Sequence, residues 1–484
     1  TAGSYTLSSV TVDAQGRVTA ASSGTIPPSI GTRTATASGA ISNGAPVIMK
    51  SDGNVAAITS TVSVTTPLTT TGQADSVEAS AYAYAAAYDK SAERVVFMYR
   101  LYNQNQVACK TAKISGNTVT YSTQYSINSV DGNNWNSVVY DENAQRTVFV
   151  YVDDNNNLRA RVATISASDG TMSFGSLTTL SSNVTKNRIQ AVYDEDAQKI
   201  VIGCTYNSKP SCFVATVNSS NNSISVGNAV QAETSNCGNS GVMMAYDENV
   251  NKHVIFYRDP SSHLKCKVFI STAGTNGAFY GSDTISASDP ARGQAVYDVN
   301  AQKIVFYYRD TNDSDRGKAV VVSISANTPT FGTPVTFASQ GINMVNAAYD
   351  PDAQKTFACA CDINADLDCY RTTISSGTTL TIESGVEVKD NCGSISCGVA
   401  YDEASNKGFV VWRDPGNGYG GGEILNMSTV TSNLTDANYI GISDAAYANG
   451  ATATIQTAGN VDDAQSGLTP GLKYYVQNDG TLAS

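Results

Sequence analysis

The chain has 484 residues, only 15% of them charged, and a formal net charge of −12. That balance excludes a phosphate-reading surface, which needs an excess of Lys and Arg, and it does not suit an anionic membrane face. No apolar run reaches the ~18 residues of a membrane span, so neither a nucleic-acid partner nor membrane insertion is expected. Ser, Thr, Asn and Gly replace the missing charges, and with 26 Tyr and recurrent β-branched runs they favour strands and turns over helices. The chain opens at Thr1 without a visible signal peptide, from which a removed or omitted N-terminal piece is expected.

In chain order, residues 5–24 read as a hairpin turning at Asp13-Ala14-Gln15-Gly16. A two-stranded hairpin this short is not stable alone, so a partner chain is expected to support it. Residues 38–58 read as strand, Asp52-Gly53 turn and strand. Residues 62–68, Val-Ser-Val-Thr-Thr-Pro-Leu, read as an outer strand with no repeat of its own.

A Tyr-Asp pair then recurs at Tyr88, Tyr140, Tyr193, Tyr246, Tyr297, Tyr349 and Tyr401, at intervals of 52, 53, 53, 51, 52 and 52 residues. Each pair leads through a polar turn to a basic residue: Arg94, Arg146, Lys199, Lys252, Lys303, Lys355 or Lys407. A set present in every repeat reads as architecture, with Asp capping the turn. The second strand, such as Ile304-Val305-Phe306-Tyr307-Tyr308, is apolar on both faces, as in a sheet covered on both sides. Seven such repeats predict an all-β chain, a seven-bladed β-propeller over 61–429. The 62–70 strand is expected to pair beside 422–429 and close the ring, hiding sheet edges. Residues 31–60 and 430–484 are expected to form one small flanking β-domain, and 1–30 an attachment and oligomerisation segment.

The flanks also carry a resemblance. Residues 9–21, Ser-Val-Thr-Val-Asp-Ala-Gln-Gly-Arg-Val-Thr-Ala-Ala, resemble a hairpin of bacteriophage tail-fibre proteins, including those of marine and cyanobacterial phages. Residues 467–482, Gly-Leu-Thr-Pro-Gly-Leu-Lys-Tyr-Tyr-Val-Gln-Asn-Asp-Gly-Thr-Leu, are similar to a terminal module of the same class. The resemblance implies an exposed virion protein that is a homotrimer and assembles with other virion proteins. It supplies no catalytic residue.

Site candidates come from the loops between second and third strands, which vary between repeats. Asn133, Asn134, Trp135, Tyr206, Arg258, Arg309, Trp412, Arg413 and Tyr419 are the expected ligand-binding set, because flat rings stack on sugars while polar groups read hydroxyls. The Tyr-Asp turns, nearly unchanged between repeats, are expected to carry little recognition. Asp362, Asn364, Asp366 and Asp368 have calcium-loop spacing but lack the loop's Gly and Glu. Cys204 with Cys212, and Cys361 with Cys369, are spaced for cross-strand disulfides, with buried thiols as the other reading. Cys237 and Cys392 hold equivalent places in different repeats, too far apart to bond. His253 is expected to be packed. No catalytic motif appears and no cofactor beyond calcium is suggested, so the chain reads as non-enzymatic. The expectation is a virion tail fibre presenting a propeller head to a host glycan or receptor. The alternatives are a virion glycan-cleaving enzyme, a purely structural appendage or decoration protein, and a bacterial surface adhesin.

Overall fold

The computed structural model describes residues 8–12, 18–23, 31–71, 75–79, 81–101, 106–128, 132–237, 241–272, 274–285, 289–392, 397–414, 419–435, 437–457, 464–466, 468 and 473–483. Every regular element among them is a β-strand. The chain divides into a large body, Ser63–Thr429, and a small body made of Thr1–Val62 with Val430–Ser484.

In the large body each Tyr-Asp pair ends the first strand of an antiparallel group. In the second repeat, Gly132–Asp141 pairs with Arg146–Asp153, which pairs with Leu158–Ile165, beside which lie Met172–Phe174 and Thr178–Ser181. The fourth strand is therefore split in two, where a single strand was expected. Gly175 interrupts it here, as Gly227, Gly332 and Gly385 do in later repeats. The fourth repeat instead keeps one outer strand, Gly277–Ile285. In the fifth and sixth repeats the long strand Val335–Asp350 ends one group and begins the next, merging both into a nine-stranded sheet.

Both faces of the second strand are buried. From Arg146–Asp153, Val148, Val150 and Val152 enter one core cluster, while Phe149 and Tyr151 enter another. Each sheet thus packs against two neighbours, which explains the continuous apolar run. First strands touch in chain order: Ala81–Asp89 contacts Gly132–Asp141, and so on around to Cys397–Asp402, which contacts Ala81–Asp89 again.

The last group is Cys397–Asp402, Lys407–Asp414 and Tyr419–Ser432, with Ser60–Thr70 and Asp75–Ala79 beside the third strand. Arg371 is fully buried against this joint. Its guanidinium donates to Thr65 O at 2.6 Å, to Met427 O at 2.8 Å, and twice to Glu383 Oε2 at 2.6 and 3.0 Å.

In the small body, Thr32–Thr36, Thr452–Gln456, Tyr439–Ser443, Pro46–Met49 and Val55–Ala57 form one five-stranded sheet in that order, drawn from both ends of the chain. Ala37, Ile41, Val47, Val55, Ala453 and Ile455 are its core. Ser8–Val12 pairs with Val18–Ser23, the expected N-terminal hairpin, while its turn at 13–17 lies outside the described residues.

The cysteine register differs from expectation. Cys359, not Cys361, lies opposite Cys369, and these two are bonded. Cys361 faces Leu367, and Cys204 faces Ser211 rather than Cys212, so Cys204, Cys212 and Cys361 are buried thiols. The observed pairing is shifted from the expected one by two residues at Cys361 and by one at Cys204, and such a shift moves every pair along the ladder.

Candidate functional site

The Tyr-Asp turns are built alike. The Asp Oδ1 accepts the backbone N–H three residues on, from Ala92, Ala144, Ala197, Ala301, Ala353 and Ser405 at 2.8 to 2.9 Å. The residue before the basic one is left-handed in every repeat, from Glu93 at φ 50° to Asn406 at 55°. In the first, second and fourth repeats the basic residue latches onto the next repeat, as where Arg146 donates to Asn222 Oδ1 at 2.7 Å and Ser219 O at 2.8 Å.

The tyrosines lace the repeats together. N–H groups of Asn143, Asp196, Asn249 and Asn300 donate to the hydroxyls of Tyr193, Tyr246, Tyr297 and Tyr349 at 3.1, 3.3, 3.2 and 3.2 Å. Tyr140 bonds with Ser91, and Tyr401 donates to Asp352 Oδ2 at 2.6 Å. Ala404 N–H donates to Tyr88 at 3.1 Å, tying the seventh turn to the first repeat.

In the first and third repeats the Asp Oδ2 binds the next repeat. Asp89 accepts from Thr147 at 2.7 Å, and Asp194 meets His253 Nε2 at 2.9 Å with both side chains buried. His253 is packed, as the sequence suggested. Burial would raise the Asp194 carboxyl, but the His253 and Ser271 bonds hold it down at about 2. At the equivalent place beside Asp402 stands Val95, which offers no donor, and burial lifts that carboxyl to about 6.

The tyrosine ring surrounds an opening. Directly after the Tyr-Asp pairs come Lys90, Glu142, Glu195, Glu248, Val299, Pro351 and Glu403. All seven line two adjoining pockets of about 370 and 410 Å³, which share Glu248, Tyr297 and Glu403. Tyr88, Tyr140, Tyr193 and Tyr246 wall the first pocket, and Met244 lies within it. Burial, then the neighbouring Glu195 and Glu142, push the Glu248 carboxyl to about 7. Glu195 is raised by burial and by Glu142, and Glu403 by burial against the pull of Lys90. One arc of the mouth is thus acidic with a single cation, and the other apolar.

A smaller cavity of about 90 Å³ shares Gln190 and Ala347 with the mouth. Buried Arg188 lines it, donating to Gln294 Oε1 at 2.9 Å and Asn346 Oδ1 at 2.5 Å. Burial pushes that guanidinium down to about 10. An acidic, aromatic mouth therefore adjoins a smaller polar cavity.

Within the nearly unchanged Tyr-Asp turns, the residue after Asp differs between repeats as Lys, Glu, Val or Pro. That column was readable in the sequence, since it alone carries both signs of charge, Lys90 against Glu142, Glu195, Glu248 and Glu403. Among the described residues, none of the loop side chains proposed from the sequence lines the mouth. Arg258 and Arg413 are exposed at the ends of second strands in the fourth and seventh repeats. Arg309 is half-buried, its Nε 3.6 Å from Asp315 Oδ1. Tyr206 packs edge-on against Phe213, ring centroids 5.6 Å apart. The side chains of Asn133, Asn134, Trp135 and Tyr419 lie outside the described residues.

Trp412 is a correction. It is 1% exposed within a core cluster, where it cannot reach a dissolved sugar. Gly421 stands opposite it, and a Cβ there would come within 2.6 Å of the indole. Gly421 thus makes room for the indole, while its neighbours Gly420 and Gly422 make room for Tyr84 and Tyr121.

The calcium reading is also corrected. Asp362 Oδ1 accepts the N–H groups of Asn364 and Asp366 at 2.8 and 2.9 Å, closing a tight hairpin turn. Asp366 Oδ1 accepts from Asn391, and Asp368 already sits in the returning strand beside Tyr370. Among the described residues no three His, Cys, Asp or Glu side chains gather as metal ligands.

No protein-family model and no curated protein matches the chain. Solved structures do. The BP39L lectin from Burkholderia pseudomallei is 12% identical, with a TM-score of 0.55 over 74% of this chain and 97% of its own. The periplasmic gluconolactonase of Pseudomonas aeruginosa is 10% identical, TM-score 0.48, over 74% and 97%. A six-bladed propeller lectin of the fungus Aleuria aurantia, described with a fucose recognition mode, is 12% identical, TM-score 0.39, over 62% and 94%. At these identities the likeness to the Burkholderia lectin concerns the fold.

Proposed function

We propose that the chain is a glycan-binding module of an exposed virion appendage. In this reading the seven repeats close as a seven-bladed β-propeller, with the flanks as a small β-domain that carries a homotrimeric, tail-fibre-like attachment. The virion setting rests on the resemblance at residues 9–21 and 467–482. The ring reading is supported by the tyrosine lacing and by the contact between first and last repeats.

The observation that carries the binding function is the open axial mouth, where tyrosine walls surround carboxylates. Aromatic flanks cover the apolar faces of a sugar, and carboxylates accept its hydroxyls. A glycan panel probed with the full chain tests this. Glu142→Gln with Glu195→Gln is expected to weaken the best ligand roughly a hundredfold, because each of the two lost charge-assisted hydrogen bonds is worth about 1.5 kcal/mol. Unchanged binding in that variant, with loss in Arg258→Ala or Arg413→Ala, would move the site to the loop face.

A second reading, glycan cleavage, is favoured by Glu248. A carboxyl near pH 7 beside other carboxylates has the properties of a general acid. Release of reducing ends from host polysaccharide, abolished in Glu248→Gln, would establish it. Binding without any release leaves the lectin reading standing.

A further inference from the structure

Five cysteines share one core cluster at the junction of the sixth and seventh repeats: Cys359, Cys361, Cys369, Cys392 and Cys397, all fully buried. Cys359 and Cys369 are bonded to each other, and the other three are thiols. Cys359 and Cys361 lie two apart on the strand Lys355–Asp362, so their sulfurs leave the same face.

The remaining two arrive from the segment before the seventh repeat, by different routes. Cys397 opens the strand Cys397–Asp402, and its Sγ donates to Cys359 O at 3.6 Å while accepting from Asn346 Nδ2 at 3.6 Å. Cys392 is docked through its backbone. Its N–H donates to Ala365 O at 2.5 Å, and the N–H of Asn391 donates to Asp366 Oδ1 at 3.2 Å. Both acceptors belong to the hairpin turn directly after Cys361. The Cys361 thiol hydrogen-bonds with those of Cys392 and Cys397, so it is the hub of the group.

We propose that Cys361 and Cys392 are the site of a second disulfide, formed when the chain folds in an oxidising medium, which fastens the segment ahead of the seventh repeat to the hairpin of the sixth. The oxidant is a small disulfide of the glutathione class. Two S–H bonds break and one S–S bond forms. The S–S bond of the small disulfide breaks, and it takes up the two electrons and the two protons to leave as two thiols.

Burial decides when this happens. No water reaches these sulfurs in the folded chain, so a reagent meets them during folding or local opening. A chain folded in a reducing cytoplasm keeps the thiols, and one folded outside it closes the bond. The pairing also explains why the returning segment carries a cysteine at the point where it touches the hairpin.

The test is refolding of the full chain in a glutathione redox buffer, followed by alkylation under denaturing conditions and peptide mapping by mass spectrometry. The expected result is a Cys361–Cys392 cross-linked peptide together with Cys359–Cys369. The oxidised chain is expected to melt roughly 5 °C above its Cys361→Ser and Cys392→Ser variants, which keep the first bond. Alkylation of Cys361 throughout, or its linkage to Cys397 instead, overturns the proposal. The peptide map of the unaltered chain decides this even if a variant fails to fold.

Discussion

The two ends of a repeat handle aspartate differently. At the Tyr-Asp end, Asp194 caps its own turn with Oδ1 and spends Oδ2 on His253 of the next repeat, both buried. At the hairpin end, Asp259 uses Oδ1 to hold the N–H groups of Ser261 and His263 at 2.8 and 2.9 Å and stays within its own loop. The Asp194 carboxylate thus joins two repeats, while that of Asp259 closes its own strand pair. Uniformity at the joining end therefore reflects assembly, and it leaves the next residue along free to differ.

The largest expected effect tests that contrast directly. Asp194→Ala strands a buried imidazole and is expected to cost about 3–5 kcal/mol in urea unfolding. Asp259→Ala loses exposed turn bonds and is expected to cost about 1 kcal/mol. Equal losses would mean that the joining role assigned to the Tyr-Asp end is mistaken.

A second prediction sharpens the comparison within the joining end. Asp402, at about 6, sits above the ordinary 3.8, so the folded chain takes up a proton between those values. Its contribution is complete below about pH 4 and is lost as pH rises through 6. Asp194, at about 2, contributes above pH 4 and loses that contribution as pH falls toward 2. Asp402→Asn is expected to flatten the pH 4–6 limb of the stability curve, and Asp194→Asn the acid limb. Interchanged or absent effects in pH-dependent melts would show that the Val95 and His253 environments do not control these carboxyls.

The smallest effect belongs to the hairpin end. Arg258→Ala and Arg413→Ala are exposed surface changes, expected to shift stability by no more than about 0.5 kcal/mol. A larger shift in melting temperature would show that these arginines, too, hold repeats together.

Much of the architecture was readable in one dimension. The 51–53-residue interval marked the Tyr-Asp turns, and the doubly apolar second strand announced a sheet covered on both faces. Trp412 was misread because its space is provided by Gly421 on a neighbouring strand, whose register the sequence does not display. The calcium spacing at Asp362 was misread because a hairpin turn consumes the same oxygens in backbone hydrogen bonds. The mouth was missed because its members stand about 50 residues apart, one per repeat.

The sequence by itself determined the strand-rich composition, the seven-fold repeat and the chemistry of each Tyr-Asp turn, because a carboxylate capping an N–H three residues on is a local event. The tertiary structure alone decided which residues meet. Lys90, Glu142, Glu195, Glu248 and Glu403 become one site, and Cys359 chooses Cys369, only when sheets pack and registers lock. Those outcomes follow from packing between distant segments, whose geometry no single stretch of chain contains.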